Sequence, residues 1–222
     1  MDPFERIYHR AVERKGAAAA LDALLPTCKS ADELAAVPDD RYLSAMTRCV
    51  FQAGFVWRVV EAKWPHFETA FDGFDPGRIA LMDDAALDRL LADPGIIRNG
   101  QKIEATQRNA NFVLEIARRH GSLARFIADW PVDDIVGLWA ALKTRASRLG
   151  GSSGPLFLRT MGKDTFMLSR DVVRVLVDQG VVDKAPTSKR GLEATQLAFN
   201  RWRSESGRPL CQISRIIACS VD

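Results

Sequence analysis

Long apolar runs are missing from this chain, and none approaches the ~18 residues needed to span a bilayer. The amino-terminal stretch MDPFERIYHRAVERKG has no apolar core of the kind a secretory leader carries, so the expected location is the cytoplasm, away from membranes. Cysteine is scarce: Cys28, Cys49, Cys211 and Cys219 form no C-x-x-C pair and read as reduced thiols. The three histidines, His9, His66 and His120, stand at no ligand spacing from a cysteine, so the pattern supports no metal site and no cofactor. Neither sign of charge dominates. With 31 Lys and Arg against 28 Asp and Glu the chain carries +3, which permits a nucleic-acid partner but excludes a histone-like polycation. Strict apolar–polar alternation, low-complexity tracts and fixed-period repeats are also lacking, which argues against strands, tails and solenoids.

What the chain does have is helical spacing. Phe4, Ile7, Tyr8 and Val12 recur at intervals of three and four, and Ser30 with Glu33 forms a capping box. DDRYLSAMTRCVF reads as an amphipathic helix, and FVWRVVEAKWPHFETAF as a second one kinked or ended by Pro65. Ile103, Gln107, Ala110, Val113, Leu114 and Ala117 share one face of a long helix that Gly121 stops. Trp64, Trp130 and Trp139 read as core. About a dozen helices with short connections predict an all-α fold, either one domain over residues 1–222 or two lobes within it.

Three stretches could carry chemistry. In CVFQAGFVWRVV, Gln52, Ala53 and Gly54 interrupt a helical pattern between two sets of large apolar residues. A glycine inside a helix costs about 1 kcal/mol relative to alanine, so the break is either a plain loop or a backbone that must approach a ligand closely. In RLGGSSGPLFLRTMG, Gly150, Gly151 and Gly154 separate a helix ending in Lys143, Arg145 and Arg148 from one opening near Pro155. Such a turn is either a plain helix connection or a hairpin whose amides hold a phosphate. In GIIRNGQKIEATQRNANF, Arg98, Lys102 and Arg108 crowd a segment whose isoleucines read as buried.

Together these stretches resemble the 3-methyladenine DNA glycosylase I family. The likeness rests on Phe74-Asp75-Pro76, Gly95-Ile96-Ile97-Arg98, Lys102-Ile103, Ala105 and Asn109-Ala110, preceded by Gln52-Ala53-Gly54-Phe55-Val56-Trp57. It is strongest over residues 44–117, and the DPFERIYH start adds Tyr8 and His9. The resemblance implies a helix-hairpin-helix glycosylase, monomeric, that flips an alkylated base from double-stranded DNA and hydrolyses its N-glycosidic bond. It implies Gly54 and Phe55 as plug and wedge, and Tyr8, Cys49, Gln52 and Trp57 as base pocket. Arg98, Lys102, Gly150, Gly151 and Gly154 then hold DNA phosphate. No lysine stands where lyase-active relatives carry one, so the expected chemistry is monofunctional.

Two departures qualify that implication. Cys49 replaces the family's pocket glutamate, and a thiol carries no fixed negative charge at neutral pH. Of the four residues with which the family binds zinc, only His9 is in place; Lys184 and Ser188 stand near the carboxy-terminal ligand positions. FMLSRDVVRV resembles the segment of related glycosylases that carries a catalytic aspartate, but Ser169 occupies that position. Asp171, two residues on, is the candidate catalytic acid, or else a helix-start aspartate with a capping role.

Overall fold

The computed structural model describes residues 1–221, among which no strand occurs. In chain order the helices are α1 (Phe4–Lys15), α2 (Ala18–Asp22), α3 (Ala31–Ala35), α4 (Asp39–Gln52), α5 (Trp57–Ala70), α6 (Pro76–Ala80) and α7 (Asp84–Ala92). There follow α8 (Gly100–His120), α9 (Leu123–Asp129), α10 (Ile135–Arg145), α11 (Ser153–Met161), α12 (Arg170–Asp178), α13 (Lys189–Ser206) and α14 (Leu210–Cys219). The fold is all-α, as the periodicity predicts. The described residues divide into two compact units, one of residues 1–29, 131–137 and 162–221, the other of residues 30–130 and 138–161.

In the unit centred on residues 30–130, α4 is the central helix. Tyr42, Leu43, Met46, Val50 and Phe51 are buried, and α5, α8, α9 and α11 pack around them. Asp39, in the first turn of α4, accepts hydrogen bonds from the Leu123 and Ala124 amides, so one carboxylate satisfies orphan donors at the start of α9. Glu68 on α5 accepts from Arg41, Ser44 and Trp64, which bolts α5 to α4.

Pro65 lies inside α5, which runs on to Ala70, so of the two effects expected of it the helix end does not occur. A proline removes one backbone hydrogen bond and crowds the preceding turn. Here the flanking residues offset that cost through aromatic packing. Trp64, Phe67, Phe71 and Phe74 form a closed cluster of four near-parallel rings, each against two others, with Phe51 edge-on to Phe67. Each buried ring contributes ~1.5–3 kcal/mol of transfer free energy, enough to hold a helix through one lost hydrogen bond. Of the tryptophans expected in the core, Trp64 and Trp139 are buried, whereas Trp130 is only half-buried.

In the other unit, α14 packs against α1, α12 and α13. Pro3 supplies no side-chain cap to α1, and the Glu205 carboxylate takes that role by accepting from the Phe4 amide at 2.8 Å. Trp202 is fully buried and donates its indole N–H to the Asp2 carbonyl, while Phe166 stacks on Phe199.

Candidate functional site

The Gln-Ala-Gly break is where α4 stops. After Gln52, Ala53 turns extended, Gly54 adopts φ +74°, and the Phe55 amide donates to the Gln52 carbonyl before α5 begins at Trp57. A Cβ at Gly54 would meet nothing within 4 Å, so the left-handed backbone, not lack of space, selects glycine. The turn presents an apolar corner to solvent: Phe55 is 43 % exposed, Val56 63 %, Trp57 53 % and Val59 44 %. Contiguous large apolar side chains on a surface mark a place where something binds.

Lys102 organises that corner from within. Its side chain is buried, and the ammonium donates to the carbonyls of Phe51 at 3.0 Å and Ala53 at 2.7 Å. These are carbonyls at the end of α4, where the helix dipole favours a cation. The same Nζ lies 4.8 Å from the Phe55 ring centroid. Burial, with the charge of Arg148 added, pulls the ammonium below its ordinary range. The ammonium expected on phosphate is here buried and bonded to two carbonyls, where it caps the end of α4 and supports Phe55. Arg98, by contrast, is exposed just ahead of α8, as a phosphate contact requires.

One turn back along α4, Cys49 is 3 % exposed. Burial pushes its thiol up to about 12, against the pull of the Arg48 charge and a hydrogen bond with Thr160. The thiol is neutral throughout the physiological range. Gln52, on the same face, is also buried and donates to Glu61 Oε1 at 2.7 Å. Arg48 Nη1 lies 3.6 Å from the other Glu61 oxygen, and its guanidinium stands 4.6 Å from the Trp64 ring, while its Nε has no hydrogen-bond partner. Glu61 thus places a carboxylate beside Gln52, one helical turn after Trp57. The sequence reading missed it; the i, i+4 spacing from Trp57 was the available signal.

The hairpin lies between α10 and α11. Arg148 and Gly151 take positive φ of 61° and 60°, and Leu149 is buried. Gly154 has a different reason for being glycine: a Cβ there would stand 2.7 Å from the Leu149 carbonyl oxygen. At Gly150 a Cβ would press on the Lys143 stem at 3.3 Å. The turn is clamped by Asn109 of α8, fully buried, whose amide donates to the Ser147 carbonyl and accepts from the Ser147 amide. The exposed cations Lys143 and Arg148 flank it. Asn109 was part of the resemblance, but its contact with the hairpin backbone had no signature in spacing.

Two candidates lie in the other unit. Tyr8 is half-buried in a cleft of about 240 Å³ with Phe4, Glu5, Glu205, Ser206 and Arg208, and the Arg208 guanidinium stands 5.0 Å over its ring. One face of the Tyr8 ring is thus taken by a cation of the chain itself. Asp171 sits half-buried in the first turn of α12, where Ser169 makes the cap by accepting from the Val172 amide. The capping role open to Asp171 belongs to Ser169.

The comparisons with known proteins follow the same residues. The family described as methyladenine glycosylase matches residues 35–147. DNA-3-methyladenine glycosylase 1 of Escherichia coli K12 is 34 % identical over 76 residues, 34 % of this chain and 41 % of that protein. The Haemophilus influenzae DNA-3-methyladenine glycosylase is 34 % identical over the same shares. The match thus spans about two fifths of the length of these relatives. Among solved structures, 3-methyladenine DNA glycosylase I from Staphylococcus aureus aligns with TM-score 0.52 at 22 % identity, covering 72 % of this chain and 86 % of its own. A second 3-methyladenine DNA glycosylase I structure gives 0.50 at 24 %, over 73 % and 89 %. These structures share the fold. The family match takes in α4, the glycine turn, all of α8 and the approach to the hairpin, and on that ground the chain belongs to the methyladenine glycosylase family.

Proposed function

We propose that this chain is a monofunctional DNA glycosylase of base-excision repair, acting as a cytoplasmic monomer on duplex DNA that carries alkylated bases, 3-methyladenine foremost. The observation that supports this reading most is the exposed Phe55–Trp57 corner on the left-handed Gly54 turn, held from behind by Lys102. Extruding a base forfeits a few kcal/mol of stacking and pairing, least for a damaged base, and an apolar wedge fills the gap left in the stack. Phe55 is the wedge and the Gly54 backbone the plug. Trp57 offers a ring face to the extruded base; a cation over such a face gains about 0.5–2 kcal/mol.

In the reaction the C1′–N bond breaks with its electron pair going to the departing base. A base alkylated to a cation leaves neutral, so no acid is needed to protonate it. Water adds its oxygen to C1′ and releases a proton. Two carboxylates are candidates to receive it, Glu61 beside Gln52 and Asp171 at the start of α12. We place no cofactor in this step. Arg98, Arg148 and the hairpin amides supply sequence-blind phosphate affinity.

The test is release of free base from methylated duplex DNA, with 3-methyladenine separated from other alkylated bases by chromatography. Trp57→Ala is expected to abolish release while DNA binding persists. The neutral thiol of Cys49 favours one competing reading, a protein that binds distorted DNA without cutting it. Binding with no base released from any alkylated substrate would establish that reading against ours.

A further inference from the structure

Cys28, Asp164 and Cys211 come from three distant parts of the sequence and meet in the unit that contains α14. Their ligand atoms, two sulfurs and a carboxylate oxygen, all lie within 4.8 Å of one another. The convergence is built by the surrounding backbone. The Lys29 amide donates to the Gly162 carbonyl at 2.9 Å, which lays residues 28–29 beside residues 162–164. Gly162 takes φ +95°, and a Cβ there would stand 2.8 Å from the Lys29 stem, so the close approach depends on glycine. Asp164 is oriented by α14: Oδ1 accepts from the Cys211 amide at 2.8 Å and Oδ2 from the Leu210 amide at 3.0 Å. Gln212 reaches the Pro26 carbonyl at 3.4 Å, and Cys211 Sγ lies 3.7 Å from the same oxygen.

We propose that Cys28, Asp164 and Cys211 form a binding site for a thiophilic divalent cation of the zinc type. Two sulfurs with one carboxylate is a donor set that selects borderline-soft cations over magnesium or calcium. The Asp164 carboxylate, with about four lone-pair positions, keeps acceptor capacity beyond its two amide bonds. Its orientation by the α14 amides is the outer support that metal-ligating carboxylates depend on. The Cys28 thiol donates to Asp164 Oδ1 at 3.4 Å, and a hydrogen bond with Cys211, burial and the Asp164 charge hold its proton on. Binding replaces those protons: one cation enters, two thiols become thiolates, two protons leave, and no electron moves. Cys211 is fully buried and Cys28 half-buried, so the cation reaches the cluster from the Cys28 side. The site would be structural, joining residues 26–29, the 162–164 segment and α14 through one ion.

The experiment uses the full chain, stripped by chelator under reductant, mixed with Zn²⁺, desalted and assayed for retained metal. About one equivalent is expected for the wild type and for Cys49→Ser, and none for Cys28→Ser. Co²⁺ in place of Zn²⁺ is expected to give thiolate charge-transfer absorption that Asp164→Asn weakens. A second measurement needs no variant: Zn²⁺ is expected to slow alkylation of Cys28 in the wild-type chain by at least tenfold. Metal retention equal in wild type and a folded Cys28→Ser chain, with alkylation of Cys28 unaffected by Zn²⁺, would overturn the proposal. So would loss of both thiols only on oxidation, with no metal retained under reductant.

Discussion

At position 102 an ammonium has left water and found two carbonyl oxygens at the end of α4, with the Phe55 ring beside it. Charged hydrogen bonds of this kind contribute ~1.5–3 kcal/mol, so Lys102→Met is expected to lower unfolding stability by about 2 kcal/mol in urea titration. Because the ammonium is turned inward, the same substitution leaves the salt dependence of DNA affinity unchanged, whereas Arg98→Ala reduces the slope of log affinity against log salt by about 1. A reduced slope for Lys102→Met would return the lysine to the phosphate contacts. Residue type and spacing made Arg98 and Lys102 look alike in the sequence. What separates them is which carbonyls come within reach of each once α4 and α8 pack, and no local pattern encodes that.

Among elements, the hairpin between α10 and α11 shows how much one side chain organises. Asn109 makes both a donated and an accepted hydrogen bond to Ser147 while fully buried, so Asn109→Ala leaves two backbone groups of the turn without that partner. A loss of about 2–3 kcal/mol is expected, read as a shift in denaturation midpoint, together with weaker binding to undamaged duplex DNA. Gly154→Ala forces a methyl against the Leu149 carbonyl oxygen and is expected to destabilise by ~1–3 kcal/mol, more than Gly151→Ser, whose position is open and limited only by its positive φ. Equal effects would contradict the steric reason given for Gly154. The glycines themselves were legible in the sequence, as was the helix-turn-helix frame, because turn chemistry is local. That α5 continues past Pro65 was not legible for the opposite reason: a cluster of four rings, assembled from α5 and the residues after it, outweighed a local breaker.

For the whole molecule the paired acids set the response to pH. Burial pushes the Glu68 carboxyl up, but hydrogen bonds from Arg41, Ser44 and Trp64 outweigh it and hold the group below its ordinary value. Arg10 and Gln179 do the same for Asp2, and the Phe4 amide with Arg201 for Glu205. A carboxyl depressed in the folded state contributes stability that is fully present above the unfolded value and lost as pH falls through the folded one. Melting temperature is therefore expected to hold near neutrality and fall progressively below about pH 4.5. Glu68→Gln is expected to lower the neutral plateau and flatten that acid slope; an unchanged slope would remove Glu68 from the account. The exposed position of Trp57 has a consequence of another kind. Trp64, Trp139 and Trp202 are buried and Trp130 is half-buried, so an aqueous quencher such as acrylamide reaches Trp57 far more readily than the rest. The chain's own emission then contains a component that reports on the corner after Gly54. That component is missing in Trp57→Phe, and in the wild type it should dim or become shielded when a nucleobase stacks on the indole.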